Sequence, residues 1–381
     1  MTHQHSFGSP EGQSALGSLI GLRRPRYDVL DEVLAPFLDA QTTGEDLYVF
    51  INLNSALRQL FSEYTVAKLT RGELNRHPRV LAAELVNLAG HYRNYAWKMF
   101  NKRTTVLLYH STCRCDRKIA VSADYKERLY AKRLGPVADE YEVIRRYVAF
   151  NLLIARELFD RVPHMHLVDT GQIDPEAWPE TLLAAGRVPG PSLILSSWNC
   201  DLAYAARPAE VGSGRGIAVI KAAGDHTRVI THEGVFLEAL RGSKTAEALS
   251  SRLDPGHFPY VLTLAGEEDL GVRGIQKVGM SRAAKLVADR VAEGRLPPDA
   301  PSLGALLEDG KIAVENHSIV EASWRLLVHT SHAAEVQPAE EASIDAQLVN
   351  RSGIGELEQA NAKYFHGSPV NLEMCYAGET Y

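Results

Sequence analysis

The chain has 381 residues, 45% hydrophobic and 23% charged, with a formal net charge of −6. That length can bury one large core or two modest ones, and the composition is that of an ordinary globular protein. Four cysteines in a chain this long do not make a disulfide scaffold, and no apolar run approaches the ~20 residues that span a bilayer. Met1 to Ser14 lacks the apolar core of a signal peptide, so a reducing cytoplasm is expected. Charge is unevenly spread. From Glu335 onward eight acids face two bases, whereas Arg114 to Arg133 holds seven bases against three acids. Local fields rather than net charge bind phosphates.

In chain order, residues 1–45 read as an arm with one short amphipathic helix, Tyr27 to Leu38. Leu47 to Ile51 is a continuously apolar strand of the parallel type, ending in Asn52 before a helix over Ala56 to Tyr64. A long helix from Leu81 to Phe100 precedes a second strand, Thr105 to Tyr109, with His110 and Ser111 at its end. Cys113 and Cys115 near His110 lack the second pair that a zinc site needs. Val143 to Phe159 is an apolar helix, His166 to Val168 a third strand, and Ser192 to Leu195 a fourth. Gly212 to Gly216 lacks the full dinucleotide-binding pattern. Arg228 to Thr231 reads as a strand and Phe236 to Ala248 as a helix. Strands alternating with helices predict an α/β fold with a mainly parallel sheet flanked by helices, its site at the carboxyl ends of the strands.

The most informative stretch runs from Leu262 to Val291. Gly274 and Gly279 can take positive φ and admit close backbone approach. Ser281 stands where an N-cap belongs, before Ala283, Ala284, Leu286, Val287 and Val291 at helical spacing. The expected form is helix, glycine hairpin, helix, which presents backbone N–H groups as a phosphate seat. Six Lys/Arg against two acids over 271–295 make it electropositive.

Gly266 to Leu286 resembles the helix–three-turn–helix segment of the 5′-nuclease superfamily, the phage and bacterial 5′–3′ exonucleases and flap endonucleases. The resemblance implies a PIN-like or flap-nuclease-like α/β core with a C-terminal segment that grips duplex or branched DNA. Gly274, Lys277, Gly279, Ser281, Arg282 and Lys285 are the residues it places on DNA, with K⁺ at the hairpin. Asp124 to Arg128 resembles the family's Tyr-Lys-x-x-Arg element at the helical arch, which gives Lys126 and Arg128 a place near the scissile phosphate. Lys311 to Val320 resembles the closing strand of the nuclease domain. The implied division is an arm to residue 45, a core over 46–205 with the arch at about 125–165, a hairpin subdomain over 206–330 and an acidic extension over 331–381.

The family holds Mg²⁺ or Mn²⁺ on about seven acids. Matched by position, Glu176, Asp201 and Glu267 survive, with Asp269 beside them. Asn52, His110 or Ser111, Trp178, Pro179 and Asn199 stand where carboxylates are expected; a one-turn shift would bring in Asp174 and Glu180, while Asp46 lies at the wrong end of its strand. Asparagine keeps the shape of aspartate and deletes its charge. Three readings stay open: a divergent active nuclease, a silent nuclease-fold protein that binds DNA or scaffolds a larger assembly (host cytoplasm or virion, if of phage origin), and an unrelated α/β protein. The arm and the acidic extension are the expected protein-partner surfaces.

Overall fold

The computed structural model describes residues 34, 35, 37, 46–56, 79–127, 138–196, 198–207, 216–223, 226–308, 310, 312–349, 354–365 and 370–379. Most of the N-terminal helix, the helix expected beyond Ala56, Arg128 and nearly all of the Gly212–Gly216 loop lie outside them.

Six strands build one sheet: β1 (Leu47–Asn52), β2 (Thr104–His110), β3 (Met165–Asp169), β4 (Ser192–Leu195), β5 (Ile217–Ala223) and β6 (His226–Ile230). Their order is β3-β2-β1-β4-β5-β6. β1 to β5 are parallel and β6 returns antiparallel to β5. The four strands expected from apolar runs are present with ends shifted by at most one residue. β1 is apolar throughout because both its faces are covered: Val49 and Ile51 enter one core and Phe50 the other. Chain order reverses between β1 and β4, so the crevice beyond their carboxyl ends is where an open parallel sheet places a site.

The long helices α1 (Val80–Phe100) and, after the short α2 (Asp116–Val121), α3 (Ala138–Phe159) line the first core. α4 (Trp178–Ala184), α5 (Phe258–Ala265), α6 (Met280–Ala292) and α7 (His317–Leu327) line the second, with the short α8 (His329–Ala333) beside them. Pro179 sits in the first turn of α4, where its missing N–H costs no helical bond. The acidic extension folds back onto α1. Buried Arg93 donates to the carbonyl oxygens of Pro163 and Cys375, at 2.7 and 2.5 Å, and pairs with Glu379.

Three expectations are corrected. Residues 314–327 form a 3-10 turn and α7, not a closing strand. Val320, Trp324 and Leu327 fall on one buried helical face, and that burial decides between two short-range readings. The 236–248 helix is broken into Val235–Ala239 and Ala246–Ser250, with Gly242 at φ +83° between them. In the hairpin, Gly279 rather than Ser281 caps α6, with extended backbone at φ −83°, ψ 176°. The positive φ values fall on Gly266, Gly271 and Lys277, not on Gly274 or Gly279. Gly274 is needed for space: a Cβ there would lie 2.2 Å from the Ala265 carbonyl oxygen. Between α5 and α6, Gly266–Glu267 pairs antiparallel with Val272–Arg273.

Candidate functional site

The site is assembled at the switch point. β1 ends in buried Asn52, whose Nδ2 donates to Glu176 Oε1 at 3.5 Å. Beyond β4, Ser196 Oγ donates to Asp201 Oδ2, and Asn199 Nδ2 donates to Glu267 Oε1 at 3.5 Å. Lys221, on β5, donates from Nζ to Asn199 Oδ1 at 2.7 Å. After β3 the chain turns through Thr170 and Ile173 and brings in Asp174 and Glu176 ahead of α4. Four carboxylates, Asp174, Glu176, Asp201 and Glu267, are therefore buried around one crevice, with Asn52 buried and Asn199 half-buried beside them.

Lysines fill the space between them. Lys118, from α2, donates from Nζ to Asp174 Oδ2 at 2.6 Å and to the Leu326 carbonyl oxygen at 2.7 Å. Lys126 Nζ donates to Asp174 Oδ1 at 2.8 Å and to Glu176 Oε2. Tyr125 donates its hydroxyl to Asp174 Oδ2 at 2.8 Å. Lys126 reaches this position with its backbone in the left-handed region, φ +55°, and its N–H on the Leu270 carbonyl oxygen at 2.7 Å. The hairpin entrance thereby holds a non-glycine residue in a conformation it seldom adopts.

Burial and charge act together on the acids. Burial alone would raise Asp174, but the Lys118 and Lys126 ammonium groups hold it well below the ordinary carboxylate range. Glu176 moves the other way: burial, with Asp174 and Asp201 nearby, raises it against the pull of Lys126. Burial pushes Glu267 up to about 7, opposed by Lys221 and reinforced by Asp269 and Asp201. Its Oε2 is buried without a hydrogen-bond partner. A carboxyl raised in the folded state favours folding most below its ordinary pKa, and that contribution is lost as pH rises through about 7. Glu267→Gln should therefore match the parent near pH 4.5 and exceed its stability at pH 8 by up to about 3 kcal/mol. Urea denaturation at the two pH values checks this; an unchanged difference between parent and variant contradicts it.

The remaining expected residues separate. Asp269 is exposed on a 3-10 turn outside the crevice. Glu180 is buried against Arg207 at 2.7 Å, and Asp46 pairs with Arg103 at 2.6 Å before β1. His110 is buried at the end of β2, where burial lowers its pKa. Ser111 Oγ turns to the Gly171 carbonyl oxygen, 2.8 Å away. Trp178 is wholly buried, its ring 4.8 Å from that of Tyr109 and 6.1 Å edge-on to Phe50. An expected ligand position has become part of the core. The sequence reading did not single out Lys118, Lys221, Cys200 or His329. Only His329 had a readable signal, being three residues from His332 on one helix face.

Two divalent ions do not fit this donor set. Asp174 and Glu176 already receive ammonium groups, and two further positions carry neutral asparagine. A divalent ion about 4 Å from one lysine ammonium would be repelled by roughly 8 kcal/mol at an effective dielectric near 20.

No known family profile matches the sequence, and no curated protein matches it. Among solved structures, the bacteriophage T5 D15 flap endonuclease, in a pseudo-enzyme–product complex with DNA and metal ions, is 8% identical with a TM-score of 0.48, covering 84% of this chain and 99% of that one. T5 5′-exonuclease with bound zinc is 9% identical with a TM-score of 0.46, over 84% of this chain and 98% of that one. The catalytic core of Rad2 in complex with DNA substrate is 10% identical with a TM-score of 0.35, over 87% and 94%. At these identities the likeness is one of fold. None of the three, at TM-scores below 0.5, assigns this chain a superfamily or a role; its own topology is a mostly parallel sheet flanked by helices.

Proposed function

We propose that this chain is a nuclease-fold protein that binds duplex or branched DNA without hydrolysing it by a two-metal mechanism. The observation that carries the reading is the seating of Lys118 and Lys126 on Asp174 and Glu176 at the sheet's switch point. Hydrolysis of the two-metal kind needs carboxylates free to hold two cations about 4 Å apart. Here the chain's own ammonium groups supply the positive charge, and they cannot lower the pKa of a bound water as a metal does.

DNA binding is assigned to the hairpin. Lys277, Arg282 and Lys285 are exposed around the start of α6, and Gly279 leaves open space before its first turn. Glu176, Asp201 and Glu267 lie buried in the crevice instead of on this face. Contacts of this kind read phosphates, not bases. The double variant Lys277→Ala/Arg282→Ala should weaken binding to duplex DNA of any sequence. It should also make the slope of log affinity against log salt shallower by about 2. Fluorescence anisotropy across a salt series checks this; equal slopes for parent and variant would reject the hairpin as the DNA contact.

A further inference from the structure

Behind the lysine-filled part of the crevice lies a second group of different chemistry. Cys200 Sγ, Asp201 Oδ1 and a ring nitrogen of His329 lie within 4.8 Å of one another, and all three residues are buried. His329 Nε2 is 3.4 Å from Asp201 Oδ1, and Cys200 Sγ is 3.9 Å from the same oxygen. The outer carboxylate oxygen is occupied elsewhere: Ser196 Oγ donates to Oδ2 and in turn accepts the Trp198 N–H at 3.1 Å. That hydrogen bond turns Oδ1 toward the thiol and the imidazole. The ring of His329 is stacked on Tyr204, with centroids 4.5 Å apart at 18°, which fixes the plane in which its nitrogens point.

His329 is 4% exposed, and neither of its ring nitrogens has a hydrogen-bond partner. Beyond the Asp201 carboxylate at 3.4 Å, burial costs this imidazole its solvation with no hydrogen bond in return. Donor atoms around a tetrahedral ion with bonds of ~2.0–2.3 Å lie roughly 3.3–3.7 Å apart. The group therefore needs a contraction of about 1 Å at most, within reach of side-chain rotation.

We infer that Cys200, Asp201 and His329 form a binding site for one first-row transition ion of the zinc type. The donor set selects the ion: thiolate and imidazole favour zinc or cobalt over magnesium. One thiolate and one carboxylate neutralise a divalent charge, and a neutral imidazole completes three protein ligands. Three protein ligands leave a fourth position open, as in zinc sites that bind a further group. The apo thiol is protonated, since burial and the neighbouring carboxylates raise Cys200 well above its ordinary range. Binding transfers that proton to solvent and the sulfur lone pair to the ion. The site shares Asp201 with the crevice, but neither Lys118 nor Lys126 touches any of its three donors among the contacts described.

Cobalt(II) titration of the full-length, reduced, chelator-washed protein is the test. The expected result is saturation at one ion per chain, with thiolate-to-cobalt charge-transfer absorption that added Zn²⁺ removes. Cys200→Ser, verified as folded by circular dichroism, should lose the charge-transfer band and bind about 100-fold more weakly. Ser196→Ala, which removes the hydrogen bond to Oδ2 and the acceptor of the Trp198 N–H, should weaken binding about 10-fold. Cys113→Ser, at a partly exposed thiol, should leave the spectrum unchanged. Absence of the band from the wild-type protein overturns the inference, as does a band that Cys113→Ser abolishes. Should Cys200→Ser not fold, wild type against Cys113→Ser decides alone.

Discussion

Lys118→Met should destabilise the fold by about 3–5 kcal/mol, because it removes one member of a buried ion pair and leaves the other. The side chains of Lys118 and Asp174 are 3% and 2% exposed, so water cannot replace the lost ammonium. The substitution also strips the Leu326 carbonyl oxygen of its Lys118 donor, which ties α2 to the end of α7. Asp174 is held well below the ordinary carboxylate range, against the effect of its burial, by Lys118 and Lys126. A carboxyl depressed in this way stabilises the fold above its ordinary pKa of about 3.9, and the gain disappears as pH falls through the depressed value. The loss in Lys118→Met should therefore be full at neutral pH. Adding Asp174→Asn to Lys118→Met should recover part of it, because a buried carboxylate left with Lys126 as its remaining ammonium partner is then gone. Urea denaturation of the parent and both variants measures these differences. A loss below about 1 kcal/mol for Lys118→Met would mean that the ammonium group is not integral to the centre.

The frame of the site was legible because it follows from local pattern. Leu47–Ile51 and Leu193–Leu195 are continuous apolar runs, and both sheet faces are indeed covered. Asn52 and Asn199 were recognisable as polar residues following strands, and the fold sets them against Glu176 and Glu267. The cations were not legible. Lys118 sits in Asp116-Arg117-Lys118, which reads as a solvated helix start, and only the long-range placement of Asp174 and Leu326 buries it. Lys221 lies on β5, and the glycine-rich sequence before that strand hides where it begins. Trp178 stood out as an aromatic where the resemblance implied a carboxylate. That the ring would fill space between Phe50 and Tyr109 depended on packing between distant segments. Gly274 was correctly marked for close backbone approach but not for its sign of φ, since the hairpin places the left-handed turns on Gly266, Gly271 and Lys277.

The central proposal is that the chain's own lysines, and not metal ions, supply the positive charge at the switch point. It is tested most directly by incubating wild-type protein with 5′-flap and plain duplex DNA in Mg²⁺ or Mn²⁺. Enzymatic catalysis raises rates by at least about a million-fold, so a working centre would show itself at substoichiometric protein. The expected result is retention of DNA in a salt-sensitive complex, with the DNA intact and the outcome unchanged by Asp201→Ala. Metal-dependent cleavage by the wild-type protein that Asp201→Ala abolishes would contradict the account.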